Sequence, residues 1–261
     1  MSLKDLLKTK DDELTIDQLL DKAVIAQANS ETRERHEIEV HPSEVGHVCS
    51  RYIQYNAVAH IVGIRAVATD AHGLRIFQTG HAEHRQVYQE LKEAGILLKT
   101  EFRLVDDAHG ITGTADAKIM LEGKKVLLDV KTINSRGWRE LVKGPKQAHV
   151  DQLQLYMHID GTTRAVLVYS NKDSQERKYL FFRRDQEKID FLLQKIRTVH
   201  RAIHEKRLLP RIADTPKSYP CAYCPWKQTC FSNTKVPWPA TTWDGKRTKL
   251  IPRKGTKSCK S

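Results

Sequence analysis

The chain has 261 residues, of which 39% are hydrophobic, so it is long enough for one large domain or two small ones with a real core. Its formal net charge of +12 points to a polyanionic partner, although solvated lysine faces explain part of any surface charge. No stretch is long and apolar enough to cross a membrane, and residues 1–14 alternate charge without the apolar segment of a signal peptide. We therefore expect a cytoplasmic protein without a membrane partner.

The first part of the chain is predicted to be helical. Residues 3–32 have apolar side chains at helical spacing, and we interpret residues 1–40 as an N-terminal helical extension. Pro42 and Ser43 then mark a helix start, and the segment that follows presents Cys49 together with aromatic residues.

A long helix over residues 73–94 carries two histidines, His81 and His84. A lone histidine on a helix is more often a surface or hydrogen-bonded core residue than a ligand. A strand is predicted next, over residues 96–105, with Glu101 near its middle. Glu101 either approaches a site on the following hairpin or is an exposed strand charge, and the sequence favours neither.

A β-hairpin is predicted over residues 115–132, with its turn at Glu122-Gly123. Asp116 lies early on the first strand and Asp129 late on the second, and these ends are adjacent in an antiparallel pair. Because strand residues two apart share a face, Asp129 and Lys131 point to one side, while Val130 faces the other.

The apolar run before Asp129 predicts a strand that is buried on both faces, where an isolated charge is costly. The Asp129–Lys131 pair is then either a structural ion pair or part of a site for Mg²⁺ or Mn²⁺, in which the lysine orients or deprotonates a water. Gly113-x-x-Asp116 upstream and Gln152-x-x-x-Tyr156 downstream favour the metal site.

The segment after the hairpin, residues 134–143, is predicted to be a loop or short helix rich in cations. It suits a surface that guides a nucleic-acid strand, because base stacking on tryptophan needs no sequence preference. Trp138 could equally be a packing residue. The candidate nucleic-acid-binding residues are Arg136, Trp138, Arg139 and Lys143.

The remaining elements complete a mixed α/β pattern. Pro145 is predicted to open a helix that places Gln152 and Tyr156 on one face. Strands over residues 164–170 and 178–183 and a helix over 185–206 follow. This order predicts a mixed sheet flanked by helices.

Cysteine spacing indicates a second inorganic site. The chain has five cysteines, and three of them lie close together at Cys221, Cys224 and Cys230. In a reducing compartment such a cluster most often binds metal, and zinc is the generic choice, with Cys49 or a histidine as the fourth ligand. Cys259, in the basic tail, is left over.

These motifs resemble the PD-(D/E)XK nuclease superfamily, in its RecB-like branch. The resemblance implies a restriction-endonuclease-like α/β fold in which Asp116, Asp129 and the Val130 carbonyl bind the metal and Lys131 assists the water. It also implies that Gln152 and Tyr156 position the lysine and the DNA. Gly80-x-x-x-His84 resembles the metal-binding histidine of that branch, with His81 as a weaker candidate. The proline of the superfamily name is absent, since Ala115 precedes Asp116.

The cysteine pattern resembles that of iron-sulfur RecB-like nucleases, including CRISPR-associated exonucleases and the AddB recombination subunit. The resemblance implies a structural [4Fe-4S] cluster that closes the nuclease domain over residues 41–231. Its ligands would be Cys49, Cys221, Cys224 and Cys230.

The expected function is that of a metal-dependent exonuclease on single-stranded DNA or DNA ends. It would serve recombination, repair, phage DNA processing or CRISPR adaptation in a bacterial, archaeal or phage-infected host cell. Two alternatives remain open: a catalytically weak DNA-binding subunit of a recombination, replication or CRISPR-adaptation assembly, and a zinc-stabilised RNA-processing nuclease. The basic tail, residues 232–261, is expected to be a flexible phosphate-binding arm or a solubilising end.

Overall fold

A five-stranded mixed sheet flanked by helices organises the chain, in a computed structural model that describes residues 15–30, 37–64, 66–232 and 236–251. The strands lie side by side in chain order. They are β1 (Leu97–Asp106), β2 (Ile111–Leu121), β3 (Lys124–Ile133), β4 (Arg164–Asn171) and β5 (Arg177–Arg183). The mixed α/β sheet expected from the sequence is confirmed.

The sheet contains one parallel pair of strands. β1 and β2 are antiparallel, as are β2 and β3, whereas β3 and β4 are parallel and β4 and β5 are antiparallel. A parallel pair needs a crossover connection, and the segment between β3 and β4 supplies it with helices. This crossover carries Gln152 and Tyr156 across one face of the sheet.

The helices lie close to their predicted positions. Asp70 caps the longest one through its carboxylate, which accepts a hydrogen bond from Gly73 N at 2.8 Å. Among the described residues, no helix has both the length and the hydrophobicity to cross a bilayer. The helices are α1 (Ile16–Ser30), α2 (Pro42–Val45), α3 (Ser50–Val62), α4 (Ala71–Glu93), α5 (Ser135–Glu140), α6 (Gln147–Asp160), α7 (Gln186–His204) and α8 (Lys227–Phe231).

Some element boundaries differ from the sequence-based expectation. The helix expected at Pro145 begins at Gln147, because Lys146 has extended backbone and serves as its N-cap. The first hairpin strand starts at Ile111 rather than Ala115. The N-terminal helix is described only as α1, and residues 1–14 and 31–36 of the expected extension lie outside the described part of the chain. Residues 37–40 of that extension are not helical, because Val40 bridges to Ile111 of β2 and Ile38 is buried in the core, so the helical expectation is wrong there.

Both faces of β3 are buried, as its apolar run predicts. Leu127 packs in the cluster that includes Leu153 and Met157 of α6. Its neighbours Val126 and Leu128 point the other way and pack in the cluster that includes Val87 of α4. The helices α4 and α6 therefore cover opposite faces of the strand that carries Asp129 and Lys131.

The described part of the basic tail is not a flexible arm. Residues 241–250 form a hairpin of β6 (Thr241–Trp243) and β7 (Thr248–Leu250). The Arg247 guanidinium is buried and donates to the Asp107 carbonyl at 2.9 Å and to Glu37 Oε2 at 3.0 Å. The expectation of an arm without a core contact is wrong here, because one of its cations joins the hairpin to the β1–β2 turn. Residues 252–261, including Cys259, lie outside the described part.

Replacing Arg247 tests this attachment. We expect Arg247→Ala to lower the free energy of unfolding by about 1–3 kcal/mol, because it removes charge-assisted hydrogen bonds and leaves buried space. Lys246→Ala on the same hairpin is the matched control, since Lys246 is exposed, and its effect should stay within about 0.5 kcal/mol. Urea unfolding measures both, and equal midpoints for the two variants would contradict the attachment.

Candidate active site

The β2–β3 hairpin brings the two predicted acidic residues together. Its turn residues Glu122 and Gly123 have φ values of 50° and 71°, the left-handed pair that matches the twist of a two-residue hairpin. Ala117 pairs with Leu128, which leaves Asp116 and Asp129 next in register. The Asp116 carboxylate turns back onto β3, where its Oδ2 accepts a hydrogen bond from Val130 N at 2.7 Å.

Asp129 is a buried carboxylate with an ammonium beside it. Its side chain is 1% exposed, and Lys131 Nζ lies 2.7 Å from its Oδ2. The angles of this contact fall outside hydrogen-bonding geometry, so Oδ2 is a buried oxygen without a hydrogen bond. Burial raises the pKa of Asp129, and the Asp116 carboxylate adds to the rise, while Lys131 opposes it. Burial also raises the pKa of Asp116.

The helix α4 places His84 against this pair. His84 Nδ1 lies 3.8 Å from Asp116 Oδ2. A close approach of α4 to β3 makes this possible, because a Cβ at Gly80 would lie only 3.3 Å from Thr132 Oγ1. Burial lowers the pKa of His84 and the Lys131 ammonium lowers it further, which favours a neutral imidazole with a free lone pair. His81 is exposed, with its ring centroid 6.3 Å from that of His84.

The helix α6 presents Gln152 and Tyr156 from the other side. Gln152 Nε2 lies 3.4 Å from Asp129 Oδ1 and 3.0 Å from the Tyr156 hydroxyl. That hydroxyl donates to the Thr114 carbonyl at 2.9 Å. The Tyr156 hydroxyl therefore holds the Gln152 amide in place by accepting its hydrogen bond, and Gln152 in turn contacts Asp129.

Glu101 lies at the edge of the site. Its place in β1 falls opposite Asp116, between the paired residues Thr100 and Phe102, and its φ of 44° is unusual for a strand residue. The Glu101 charge contributes to the raised pKa of Asp116 and of Tyr88. Glu101 therefore lies near the site and is also an exposed charge on a strand, so each of the two interpretations left open by the sequence describes part of its position.

Two further residues at the site were not singled out from the sequence. The Tyr88 hydroxyl lies 3.4 Å from His84 Nδ1, one helical turn away on α4. His149 Nδ1 lies 2.8 Å from the Tyr169 hydroxyl, and burial together with Lys131 lowers the pKa of His149 to about 3. Each follows the helical spacing of a predicted residue, at i+4 from His84 and i−3 from Gln152, and that spacing was the available signal.

The predicted nucleic-acid-binding residues lie on α5 and the 3₁₀ turn after it. Arg136, Arg139 and Lys143 are exposed there. Trp138 packs against the cluster under α6, and Lys178 Nζ lies 4.6 Å from its ring centroid. Packing thus accounts for the position of Trp138, and the exposed cations alone form a surface open to a phosphate backbone.

The four cysteines line one cavity although 172 residues separate the first from the second. Cys49 caps α3, Cys221 and Cys224 flank a 3₁₀ turn, and Cys230 lies on α8. Arg51 Nη1 donates to Cys230 Sγ at 3.7 Å. Burial raises the pKa of the Cys221 and Cys224 thiols, and the neighbouring thiols add to the rise.

The sulfur atoms are widely spaced for a single zinc ion. Tetrahedral zinc with Zn–S bonds of about 2.3 Å holds its sulfurs about 3.8 Å apart. Within the described residues, three or more potential ligand atoms lie within 4.8 Å of one another only at Asp106, His109 and His158, so no three of the four sulfurs are that close. These three grouped residues were not predicted as a site.

Comparison with known proteins supports the fold. No curated protein sequence matches the chain. The solved structure "SSO0001" is similar with a TM-score of 0.52 at 18% identity, covering 85% of this chain and 98% of that one. The structure of an alkaline exonuclease from Laribacter hongkongensis has a TM-score of 0.48 at 14% sequence identity, and the match covers 62% of this chain and 85% of that one. The structure of a phage-related exonuclease from Haemophilus somnus 129PT has a TM-score of 0.47 at 15% sequence identity, and the match covers 64% of this chain and 93% of that one.

The family itself is shown by sequence. The profile of the PD-(D/E)XK nuclease superfamily matches residues 4–231, a span that includes all five strands of the central sheet and all four cavity cysteines. This chain therefore belongs to the PD-(D/E)XK nuclease superfamily.

Proposed function

We propose that the chain is a metal-dependent DNA exonuclease of the RecB-like branch, with Asp116, Asp129 and Lys131 at its centre. One observation carries the proposal: a buried carboxylate, a half-buried carboxylate and an ammonium converge at adjacent positions of one hairpin. Burial raises the pKa of both carboxyls and Asp116 adds to the rise at Asp129, and such perturbed acids cluster at functional sites.

The donor set fits a divalent ion. The buried Asp129 Oδ2 has the Lys131 ammonium as its neighbour at 2.7 Å, so a bound ion would share this oxygen with the lysine. Asp116, Asp129 and the Val130 carbonyl would supply the hard oxygen ligands that Mg²⁺ and Mn²⁺ prefer, and the neutral His84 imidazole suits Mn²⁺ in particular. When bound, such an ion lowers the pKa of a water and stabilises charge on the scissile phosphate.

The protein's own groups would position the reaction. The Lys131 ammonium, fixed 2.7 Å from Asp129 Oδ2, orients the attacking water and offers positive charge to the phosphate. Gln152 holds Asp129 through its amide, and Tyr156 holds Gln152. Side chains of α6 therefore support the acid pair, and the Lys131 side chain, which is 20% exposed, is held by its ion pair with Asp129.

Burial of the acids favours single-stranded DNA or DNA ends as substrate. The side chains of Asp116 and Asp129 are 17% and 1% exposed, so the site is recessed. A single strand or a frayed end enters such a recess more easily than the middle of a rigid duplex. The exposed Arg136, Arg139 and Lys143 would attract its phosphates.

The cysteine cavity fits a [4Fe-4S] cluster better than zinc. In a four-iron cluster each cysteine binds a different iron, which separates the sulfurs more widely than one ion does. The wide spacing of Cys49, Cys221, Cys224 and Cys230 agrees with this. The cluster would act structurally, tying α3 to the segment after α7 around the sheet.

Catalysis is tested by Lys131→Ala. We expect cleavage of end-labelled single-stranded DNA with Mn²⁺ to fall by about 100- to 1,000-fold while DNA binding changes little, because the lysine acts on the water rather than on the bulk of the strand. Lys125→Ala is the control, an exposed lysine on the same strand, and should cleave normally. A parent protein that binds DNA but never cleaves it with Mg²⁺ or Mn²⁺ would refute the proposal.

Asp129→Asn tests the cost of the buried charge. Because the pKa of Asp129 is raised in the folded protein, its contribution to stability is present below the ordinary aspartate pKa of 3.8 and is lost as pH rises through the raised pKa. In EDTA at pH 8 the variant should therefore be more stable than the parent, on the order of 1–3 kcal/mol, and the difference should shrink toward pH 4. Denaturant unfolding at both pH values measures this, and a variant less stable at pH 8 contradicts it.

Cys224→Ser tests the cluster. After anaerobic purification we expect the parent to absorb broadly near about 400 nm and the variant to lose this band and unfold more readily. Cys259→Ser is the control, because Cys259 is the fifth cysteine and lies outside the predicted ligand set of Cys49, Cys221, Cys224 and Cys230. A colourless parent that contains stoichiometric zinc would replace the iron-sulfur assignment with a zinc site.

A further inference from the structure

A second group of potential metal ligands lies away from the acid pair. Asp106 ends β1, His109 lies in the turn that follows, and His158 projects from the last turn of α6. One ligand atom of each lies within 4.8 Å of the other two, and all three side chains are half-buried. Chain segments 50 residues apart thus meet at one carboxylate.

Both imidazoles point a ring nitrogen at the same oxygen. His109 Nδ1 lies 2.6 Å from Asp106 Oδ2, and His158 Nε2 lies 3.3 Å from it. The first contact is a hydrogen bond between the His109 ring and the carboxylate, which a bound ion would replace with loss of the Nδ1 proton. The second distance equals the ligand–ligand spacing of about 3.3 Å expected around a tetrahedral ion with bonds of about 2.0–2.1 Å. His109 N also donates to Asp106 Oδ1 at 3.1 Å, which fixes the carboxylate to the turn.

We propose that Asp106, His109 and His158 bind a divalent transition-metal ion, with Zn²⁺ the best match. Two imidazole nitrogens and one carboxylate oxygen form a mixed set of ligand atoms that suits Zn²⁺, whereas Mg²⁺ prefers oxygen ligands. Water completes the coordination, since the site is not fully enclosed. The ion would cross-link the β1–β2 turn to the end of α6.

The site is separate from the proposed catalytic centre. Asp106 pairs with Ile111, five residues from Asp116 along β2, which is about 17 Å of strand. The partners also differ, because Asp106 contacts two imidazoles whereas Asp129 contacts the Lys131 ammonium.

One neighbour opposes the ion in a way that can be measured. Arg184 Nη2 lies 3.5 Å from His158 Nδ1. When Nε2 binds a metal, Nδ1 carries the ring proton and faces the guanidinium donor, so Arg184 must withdraw toward its second partner, Gln186 Oε1, at 3.1 Å. Removing the guanidinium should strengthen binding.

The test titrates Zn²⁺ into the full chain against a chromophoric chelator, with millimolar Mg²⁺ present to occupy the acid pair. We expect the parent to bind one equivalent of Zn²⁺ at this site, and we expect His158→Gln and Asp106→Asn each to bind it at least about tenfold more weakly. Asp106→Asn keeps the size of the side chain, so it separates loss of metal from loss of fold. His72→Gln, an exposed histidine at the start of α4, is the matched control and should bind normally.

Two further arms assign the ligands. Arg184→Gln should bind Zn²⁺ several-fold more tightly than the parent, and weaker binding overturns the proposed ligand arrangement. Co²⁺ at this site should show visible d–d bands without a thiolate charge-transfer band, and those bands should persist in Cys224→Ser. If His158→Gln and Asp106→Asn both still bind this equivalent of Zn²⁺ as tightly as the parent, the proposed zinc site is wrong, whatever the outcome of the nuclease assays.

Discussion

Burial of two carboxylates at the β2–β3 hairpin is the constraint on which the rest of the structure depends. Asp116 and Asp129 can meet only because the strands are antiparallel and in register, and their charge is balanced only in part by Lys131 and by Val130 N. A core accepts such a group when nearby elements supply charge, hydrogen bonds or a bound ion. The surrounding helices supply the first two, and the proposed divalent ion would supply the third.

The helices reach the acid pair through close packing. Gly80 brings α4 near Thr132, and Gly113 leaves room for both Pro42 and Tyr156, since a Cβ there would lie 3.0–3.1 Å from their side chains. The G-x-x-x-H and G-x-x-D patterns thus have a steric explanation: the glycine admits the helix that carries or supports the functional residue. A larger side chain at either glycine would push a helix outward and with it His84 or Gln152.

Contacts between residues distant in sequence hold described segments on either side of the sheet region to this centre. The cysteine cavity joins residue 49 to residue 230, and Arg247 joins the C-terminal hairpin to the β1–β2 turn. That same turn carries Asp106 and His109, beside His158 of α6. The turn is therefore a junction between the sheet, the crossover helix and the tail, and an ion there would stiffen all three.

Local pattern by itself determined the elements, the hairpin turn and the superfamily motifs. Alternation along β3, the Glu122-Gly123 turn and the helical spacing of Gln152 and Tyr156 depend on neighbours within a few residues, so the sequence contains them. Only the tertiary structure decided which distant side chains come together and which become buried. Examples are the influence of Lys131 on His149, the burial of Arg247, the packing of Trp138, and the group of Asp106, His109 and His158. Those contacts depend on how α6 crosses the sheet and where the tail docks, and no periodicity in the sequence encodes a distance between segments that far apart.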